Sequence, residues 1–202
     1  REPIDPVRFI SNYSSGKMGY ALAESARNLG ADVELICGPV SIRMPQNIKI
    51  TSVETSTQML DAVLEKIPHC DVFISAAAIS DYRPSNKLTE KHKSSDGELV
   101  IRLERGEDIL KLAKETKASL YAVGFSAETN NISDNAKIKL EKKNIDMIIS
   151  NEANHQKGLG FESDMNEVCI IEKDSTMKVP RNTKKIIADI ILSKIAKNIK
   201  GN

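Results

Sequence analysis

The sequence predicts an α/β fold, with a Rossmann-like, mostly parallel sheet covered by helices on both faces. Two observations favour this class. Segments with apolar residues at helical spacing alternate with short apolar segments along the whole chain, an order typical of parallel sheets built from βαβ units. The length of 202 residues and the apolar content of 40% suit a globular chain with a sizeable core. We therefore expect residues 1–202 to form a single domain.

Individual elements follow from local patterns. Met18, Leu22 and Leu29 share one face of a predicted helix over 15–29, which Gly30 ends. The apolar segment 72–75 lacks polar alternation, as is typical of a central strand covered on both faces. The polar segment 81–97 predicts a long loop, which with the next strand forms a flap excursion around residues 82–104. The other predicted elements are strands at 32–37, 48–53, 98–104, 120–125, 146–150 and 166–172, and helices at 56–67, 107–115, 130–143 and 182–199.

The first residues are not typical of a domain start. Residues 1–6 have the sequence REPIDP, and its prolines are typical of a loop. A βαβ unit requires a strand before its first loop and helix. We therefore expect that an N-terminal strand is missing, and we interpret the sequence as a fragment.

Composition argues against several classes of function. The 29 basic and 28 acidic residues nearly cancel, whereas a nucleic-acid-binding protein usually carries a basic excess. We therefore expect no nucleic acid as a partner. No apolar run approaches the roughly 18 residues of a membrane span, so we expect no membrane as a partner either. Cys37, Cys70 and Cys169 have no CxxC spacing, which argues against a disulfide framework or a zinc site. Free thiols indicate a reducing compartment, and we expect the cytoplasm.

A glycine- and serine-rich segment at 11–19 predicts a phosphate-binding loop that leads into the first helix. Gly16 and Gly19 allow main-chain N–H groups to approach an anion, and the helix N-terminus adds a partial positive charge. The hydroxyls of Ser14 and Ser15 can cap the helix or donate to phosphate oxygens. The segment matches neither the P-loop pattern nor a strict GxGxxG, so an ordinary capped helix start is the alternative.

Small residues end the predicted central strand. Ser75, Ala76 and Ala77 leave room for a ligand at the carboxyl edge of the sheet, where open α/β sheets bind their ligands. Asp81 follows and is a candidate for Mg²⁺, which favours a carboxylate plus phosphate oxygens. A turn or a helix cap is the alternative for this aspartate.

Two further segments are candidates for contacts with a nucleotide. Lys91, in the segment EKHKS at 90–94, can close over a triphosphate and neutralise developing charge. Phe125 ends a strong strand and can place its ring against a base, while Lys139 and Lys143 share one face of the next helix. The alternative for the lysines is a solvated, charged surface.

Together these segments resemble the phosphopantothenate–cysteine ligase family of the bacterial type, in which the ligase is usually the C-terminal half of a bifunctional coenzyme A biosynthesis protein. The resemblance lies in REPIDPVRFISNYSSGKMG, AAAISDYRP, VGFSAETN and KNIDMIISN, in this order over nearly the whole chain. It implies a nucleotide-binding ligase domain that joins 4′-phosphopantothenate to cysteine with CTP. The carboxylate first attacks the α-phosphate to give an acyl-cytidylate and pyrophosphate, and the cysteine amine then displaces CMP.

The resemblance also implies roles by motif position. Asn12 corresponds to an asparagine that binds phosphopantothenate and turns over the acyl intermediate, and Lys91 to a lysine required to form it. Arg8 corresponds to an arginine that reaches the phosphopantothenate site of a neighbouring subunit, which implies a homodimer. Ala76 and Ala77 are implied to contact substrate as well as nucleotide. The implied nucleotide-binding residues are Ser14, Gly16, Gly19, Ser75, Ala76, Ala77, Asp81, Lys91, Glu107, Asp108, Ile109, Leu110, Phe125, Lys139 and Lys143, with Asp81 also at the metal position.

The sequence departs from the family pattern in two places. The family's KxKK flap motif is KHKS here, so Ser94 replaces its last lysine. The segment that contacts cytosine is Gly-Glu-Asp-Ile at 106–109, without the family's proline but with Asp108 and Ile109 retained. A preference for CTP over ATP is therefore implied by the family and not by spacing.

Two other functions stay open. A Rossmann-type NAD(P)-dependent oxidoreductase requires GxGxxG and an acidic end to the second strand, whereas this strand ends in Cys37 and Gly38. A non-catalytic nucleotide-binding or dimerisation module is compatible with the altered flap motif. The resemblance further implies fusion to, or association with, a flavin-dependent decarboxylase domain.

Overall fold

In the computed structural model the described residues are 1–93, 95, 97–128, 132–152 and 163–200. Within them the chain forms a short 3₁₀ helix at Ile67–His69 and the following elements. The strands are β1 (Glu2–Pro3), β2 (Phe9–Ile10), β3 (Glu34–Cys37), β4 (Lys49–Ser52), β5 (Val72–Ser75), β6 (Tyr82–Pro84), β7 (Leu103–Arg105), β8 (Tyr121–Glu128), β9 (Met147–Glu152), β10 (Met165–Ile171) and β11 (Thr176–Thr183). The helices are α1 (Lys17–Asn28), α2 (Ser56–Lys66), α3 (Ile109–Thr116), α4 (Ile132–Lys143) and α5 (Lys184–Lys200).

The main sheet has the strand order β11-β10-β9-β8-β5. β5, β8 and β9 pair in parallel, whereas β10 is antiparallel to both β9 and β11. The sheet is therefore mixed and not mostly parallel in its pairing, because a β10–β11 hairpin precedes α5. The sequence pattern missed β11, since Val179 is its buried residue and the strand lacks apolar alternation. The N–H of Glu172 donates to the oxygen of Ser175 at 2.8 Å, which closes the hairpin turn.

Helices cover both faces of the main sheet, as the sequence predicts. Leu22 of α1 and Ile191 of α5 are buried in one cluster with Val123. α2, α3 and α4 cover the opposite face, where Leu140 is buried in a second cluster with Ala122. Val123 and Ala122 are neighbours on β8, so strand alternation supplies both layers of the core. Among the described helices, none is both long and apolar enough to cross a bilayer.

β3 and β4 form a separate parallel pair, in register from Glu34 opposite Lys49 to Cys37 opposite Ser52. Between β3 and β5 lies a cavity of about 930 Å³, lined by residues 31–40 on one side and 69–80 on the other. Within the described residues, β3 pairs only with β4 and β5 only with β8. The cavity therefore lies between two strand edges that lack a partner there.

The predicted flap is an excursion based on a two-stranded ladder. β6 and β7 pair antiparallel, from Tyr82 opposite Arg105 to Pro84 opposite Leu103. The strand predicted at 98–104 is shorter than expected, because residues 97–102 stay outside the ladder and are mostly exposed. Ser94 lies outside the described residues. At the start of the chain, where a loop is expected, β1 and β2 form a two-residue antiparallel pair.

Candidate functional site

The loop that precedes α1 contacts the segment after β3. Gly16 has a left-handed conformation (φ 74°), and a Cβ atom added to it would lie 2.7 Å from Cγ1 of Val40. Both features require glycine, since other residues are strained at this φ and Val40 leaves no room. α1 begins directly after Gly16, and both Gly16 and Gly19 line the cavity. The N-terminus of α1, with its partial positive charge, therefore lies at this space.

The same loop contacts the segment after β5. Nδ2 of Asn12 donates to the main-chain oxygen of Ile79 at 3.0 Å. The loop thus touches the residues that follow both β3 and β5, so the carboxyl ends of these strands meet at one edge of the cavity. The sequence-predicted site residues that line the cavity are Asn12, Ser14, Gly16, Gly19, Ser75, Ala76, Ala77 and Ile109.

The cavity has a polar end and an apolar end. At the carboxyl edge it is lined by Asn12, Ser14, Ser75 and Ser80, whose amide and hydroxyl groups suit a polar ligand. This edge is where open α/β sheets bind ligands. The remainder is lined largely by apolar side chains of β3, β5, α1 and α5, among them Leu35, Ile74, Leu22, Leu192 and Ile195.

Asp108, Lys139 and Lys143 form a second group beside β8. Asp108 is the N-cap of α3, and its Oδ2 lies 2.8 Å from Nζ of Lys143. Nζ of Lys139 donates to Oγ of Ser126 at 3.2 Å. Ile109 directly follows Asp108 and lines the cavity, so the second group adjoins the first.

Phe125 and Leu110 are separated from these groups by their packing. Phe125 packs against the buried cluster on the α1–α5 face, whereas its neighbour Ser126 receives a hydrogen bond from α4 on the other face. Leu110 is buried, and a Cβ added to Gly124 would lie 2.7 Å from its Cδ2. Leu110 therefore belongs to the core, whereas Phe125 is half-buried at the margin of the other cluster. Glu107, which directly precedes the N-cap residue of α3, is exposed.

Asp81 is tied through its main chain to the segment before α3. The main-chain oxygen of Asp81 accepts from the N–H of Gly106 at 2.9 Å, and Asp81 is exposed. In the described part of the chain, no three His, Cys, Asp or Glu side chains converge. A cation at Asp81 would therefore have fewer than three such side chains around it and would complete its shell with phosphate oxygens and water, an arrangement that Mg²⁺ favours.

Arg8 and Lys91 lie outside the cavity lining, and Arg8 contacts the residue that follows Lys91. The Arg8 guanidinium pairs with the buried carboxylate of Asp5, and its Nη2 donates to the main-chain oxygen of His92 at 2.9 Å. Lys91, the preceding residue, is exposed. The hydrogen bond from the Arg8 side chain, aided by main-chain N–H donors, holds the pKa of the Asp5 carboxyl well below its usual range.

Asp5 is a site residue that the sequence patterns did not single out. Asp5 is followed by a proline, and an Asp-Pro pair favours turn initiation, which was the available signal. Its role beyond a turn depends on His92, 87 positions away, and no local pattern reveals that contact.

A family model described as the DNA/pantothenate metabolism flavoprotein C-terminal domain matches residues 1–199. The coenzyme A biosynthesis bifunctional protein CoaBC of Vibrio vulnificus (strain CMCP6) is 40% identical over 198 residues, which cover 96% of this chain and 49% of the relative. The chain thus spans about half of that relative's length.

Solved structures have the same fold. The crystal structure of the C-terminal domain of CoaBC has a TM-score of 0.84 at 40% identity, over 100% of this chain and 92% of that one. A Cab2 variant in complex with phosphopantothenate-cysteine has a TM-score of 0.80 at 18% identity, over 98% of this chain and 83% of that one, and shows likeness of fold alone. The match of the family model over residues 1–199 shows that the chain belongs to the family of DNA/pantothenate metabolism flavoprotein C-terminal domains.

Proposed function

We propose that this chain is a phosphopantothenate–cysteine ligase domain. It joins 4′-phosphopantothenate to L-cysteine through an acyl-cytidylate and releases pyrophosphate and CMP. The observation that carries the proposal is the crevice where Asn12 meets the end of β5 next to the start of α1. Family membership supports it, since the Vibrio relative is a coenzyme A biosynthesis protein. The Cab2 variant of the same fold holds phosphopantothenate-cysteine.

The triphosphate of CTP binds at the polar end of the cavity. Gly16 fixes the turn into α1, and a Cβ added to Gly19 would meet no atom within 4 Å, so space is open beside the first helical turn. Ser14 adds an exposed hydroxyl. A helix N-terminus offers a partial positive charge and N–H donors, which together stabilise phosphate oxygens. The small residues 75–77 leave room for the acyl substrate on the facing strand end.

Asn12 lies where the nucleotide and the acyl substrate meet. Its amide is oriented by the bond to Ile79, and its oxygen and second amide proton can contact the reacting groups. A carboxylate is a poor acyl donor, and cytidylation supplies a leaving group. The protein then mainly positions the reactants and stabilises developing charge.

Lys91 and Asp81 lie outside the cavity lining and are proposed to supply opposite charges to the bound nucleotide. Lys91, on the flap, neutralises charge that develops on the phosphates while the intermediate forms. Asp81 holds Mg²⁺, which when bound shields the phosphate oxygens. Its exposed carboxylate fits a cation whose other ligands come from phosphate and water.

The second group binds the nucleoside, together with residues 107–110 and the main chain near Phe125. Ile109 is itself buried in the same cluster as Leu110 but lines the cavity, so its neighbour Asp108 lies beside that space, which supports the assignment. Main-chain groups can contact the edge of a base. Proline has no main-chain N–H, so the absence of the family's proline here removes no hydrogen-bond donor. The Asp108–Lys143 pair joins α3 to α4 and so holds this segment in place.

We further propose a cytoplasmic homodimer, fused to or associated with a flavin-dependent decarboxylase domain. Exposed apolar side chains on the flap support a partner there, since Val100 is 73%, Tyr82 53% and Leu103 48% exposed. The cysteines of the described residues are free thiols, as suits a reducing compartment. The Vibrio relative is a bifunctional protein, which supports a second catalytic domain.

The apolar end of the cavity is proposed to receive one further strand of the same polypeptide, parallel to β3 and β5. The two strand edges at the cavity have no partner there within the described residues, and α1 and α5 present apolar side chains to it. A strand placed between them joins the two sheets into one. Its carboxyl end leads to the edge where Arg1 and Glu2 line the cavity. This is the N-terminal strand that the sequence predicts.

Release of the two products tests the function. With CTP and 4′-phosphopantothenate we expect pyrophosphate before any cysteine is added, CMP only after it, and a lower rate with ATP. Absence of pyrophosphate contradicts the ligase. Tight NAD(P) binding without CTP binding favours an oxidoreductase instead, and CTP binding without turnover a non-catalytic module.

A further inference from the structure

We propose that Asp5 is a positioning residue for Lys91. Through Arg8 it holds the main chain of His92, and so fixes the lysine-bearing flap against the loop that leads into α1. The importance of Lys91 rests on the proposed function, whereas the contact itself is measured without turnover.

Asp5 organises the start of the chain. Its side chain is 0% exposed. Its Oδ1 accepts from the main-chain N–H groups of Val7 and Arg8, each at 2.8 Å. Its Oδ2 accepts from Nε of Arg8 at 2.8 Å and also from Nη2. One carboxylate therefore fixes both the turn over residues 5–8 and the direction of the Arg8 side chain.

The Asp5–Arg8 pair contacts both main-chain polar groups of His92. Nη2 of Arg8 donates to the main-chain oxygen of His92 at 2.9 Å, and the main-chain N–H of His92 donates to Oδ2 of Asp5 at 3.4 Å. A second tie joins the same two segments, because the N–H of Leu88 donates to the oxygen of Ile4 at 2.9 Å. The contact at residue 92 is made by the main chain, so it does not depend on the histidine side chain.

The consequence concerns the two residues that flank His92. Lys91 and Lys93 are the chain neighbours of His92. Fixing the main chain of His92 therefore also fixes theirs relative to β2 and the loop that follows it. Hydrogen bonds in which one partner is ionised are about twice as strong as neutral ones, and both bonds to the main chain of His92 are of this kind. Without the carboxylate, Lys91 would have to be oriented anew in each catalytic cycle, which lowers the rate.

Asp5→Asn tests the contact directly. The amide keeps an oxygen for the turn but directs a donor at the Arg8 guanidinium and the His92 N–H, which are donors themselves. We expect the His92 amide proton to exchange about tenfold faster or more, while the amides of β8 and β9 keep their protection. Residue-resolved hydrogen exchange measures this.

Two control variants and a second test variant make the result specific. Glu167→Gln removes the carboxylate of an ion pair with Lys178 (2.9 Å) on the β10–β11 hairpin, and we expect His92 exchange to stay unchanged. His92→Ala should also keep the amide at 92 protected. If Asp5→Asn does not fold, Arg8→Lys tests the Arg8 part of the contact: lysine lacks the paired nitrogens that bind both Asp5 and the His92 oxygen, so we expect Asp5 to lose its orientation and the His92 amide to exchange faster. Unchanged exchange at residue 92 in whichever variant folds overturns the proposal.

Turnover separates this inference from the proposed function. We expect Asp5→Asn to lower kcat for CTP-dependent pyrophosphate release about as much as Lys91→Gln, with KM for CTP little changed, and the double variant to be no slower than Lys91→Gln. If the His92 amide exchanges faster in Asp5→Asn but the wild-type protein releases no pyrophosphate, the contact is supported and the ligase function is contradicted. Additive losses in the double variant overturn the link from Asp5 to Lys91.

Discussion

Asn12 donates a hydrogen bond from Nδ2 to the main-chain oxygen of Ile79, at a distance of 3.0 Å. One side chain thereby joins the loop before α1 to the segment after β5, 67 positions later in the chain. Only the nitrogen of the amide can donate to a carbonyl, so the bond also fixes which way the amide points. The geometry of the crevice between these segments therefore depends on an amide at position 12.

Asn12→Asp changes this amide with almost no change in shape. An ionised carboxylate oxygen facing the Ile79 carbonyl repels it, so the two segments lose their contact. We expect CMP release on addition of cysteine to fall by about tenfold or more, with a smaller effect on pyrophosphate release, so that acyl-cytidylate accumulates. Rapid quench with chromatography of CMP and pyrophosphate measures both steps. In Asn182→Asp the new side chain still offers an oxygen to the N–H of Thr183 (2.9 Å), and wild-type rates are expected. Equal rates in the two variants contradict the role of Asn12.

Gly16 and Gly19 allow folding to be separated from ligand binding. Gly16→Ala meets both the left-handed φ of 74° and Val40 at 2.7 Å, and should lower the free energy of unfolding by about 1–3 kcal/mol. Gly30→Ala has a φ of 87° but no atom within 4 Å, so it isolates the cost of the backbone conformation.

Gly19→Ala is expected to act in the opposite direction on stability. Within α1 its new Cβ meets nothing within 4 Å, and alanine in a helix should raise the free energy of unfolding by about 0.5–1 kcal/mol. The same methyl group occupies space that we assign to the triphosphate, so affinity for CTP should fall. Urea unfolding and titration calorimetry measure the two effects. CTP affinity equal to that of the wild type would show that the phosphates do not approach the first turn of α1.

Sequence patterns predicted the elements whose own residues carry the signal. β5 has the predicted bounds, but it is not the central strand that its lack of alternation predicts, because within the described residues it lies at the edge of the main sheet and its four residues are half-buried beside the cavity. β11 was missed, because Val179 is buried and nearly all of its other side chains are exposed, so its strand conformation depends on pairing with β10.

The candidate site was predictable to the extent that its residues lie on strand ends and helix starts. Asn12, Gly16 and Ser75 share one cavity, as expected from the carboxyl edge of an α/β sheet. Asp5 could not be assigned a role, because its contact with the flap lies 87 positions away. The base contact of Phe125 stays a prediction: the side chain is half-buried and packs against the cluster on the α1–α5 face, and which face a strand residue takes depends on the helices that cover the sheet.

Acid stability should depend on Asp5. Its pKa in the folded protein is lowered by the hydrogen bond from Arg8, so unfolding at low pH takes up a proton. The carboxylate therefore contributes its full stabilisation above about pH 4, the ordinary carboxyl pKa, and loses it as the pH falls below that value. We expect Asp5→Asn to flatten the fall in the free energy of unfolding between about pH 4 and pH 2.

Asp164 provides the comparison for this pH dependence. Its pKa is also lowered, by the hydrogen bond from Lys17, but its side chain is 83% exposed, so water screens the pair. Asp164→Asn should therefore change the fall in the free energy of unfolding at low pH less than Asp5→Asn does. Denaturant titrations at a series of pH values measure both. If the free energy of unfolding of Asp5→Asn falls with pH as steeply as that of the wild type, the prediction is contradicted.

The exposed apolar residues of the flap should lie in a dimer interface. Val100→Glu places a charge where an apolar contact is expected, and burying an unpaired charge is costly, so the dimer should dissociate about tenfold more readily or worse. Met177→Glu changes a partly exposed apolar residue on β11 and should leave association unchanged. Sedimentation velocity over a concentration series measures the effect. A wild-type protein that is monomeric throughout, or equal association of both variants, contradicts the interface.

The gap between β3 and β5 should be filled by a strand, and an N-terminal extension tests this. About six β-branched apolar residues, joined to Arg1 by a short glycine linker, are enough for one strand of ordinary length. Because Arg1 lines the cavity, the tethered strand reaches the gap at high effective concentration. We expect slower hydrogen exchange for the amides of β3 and β5 that face the gap, and a Tm higher by about 2–4 °C for each kcal/mol gained. A glycine–serine extension of equal length has the same tether but little tendency to form a strand. If both extensions leave Tm and exchange alike, the gap is not a strand site.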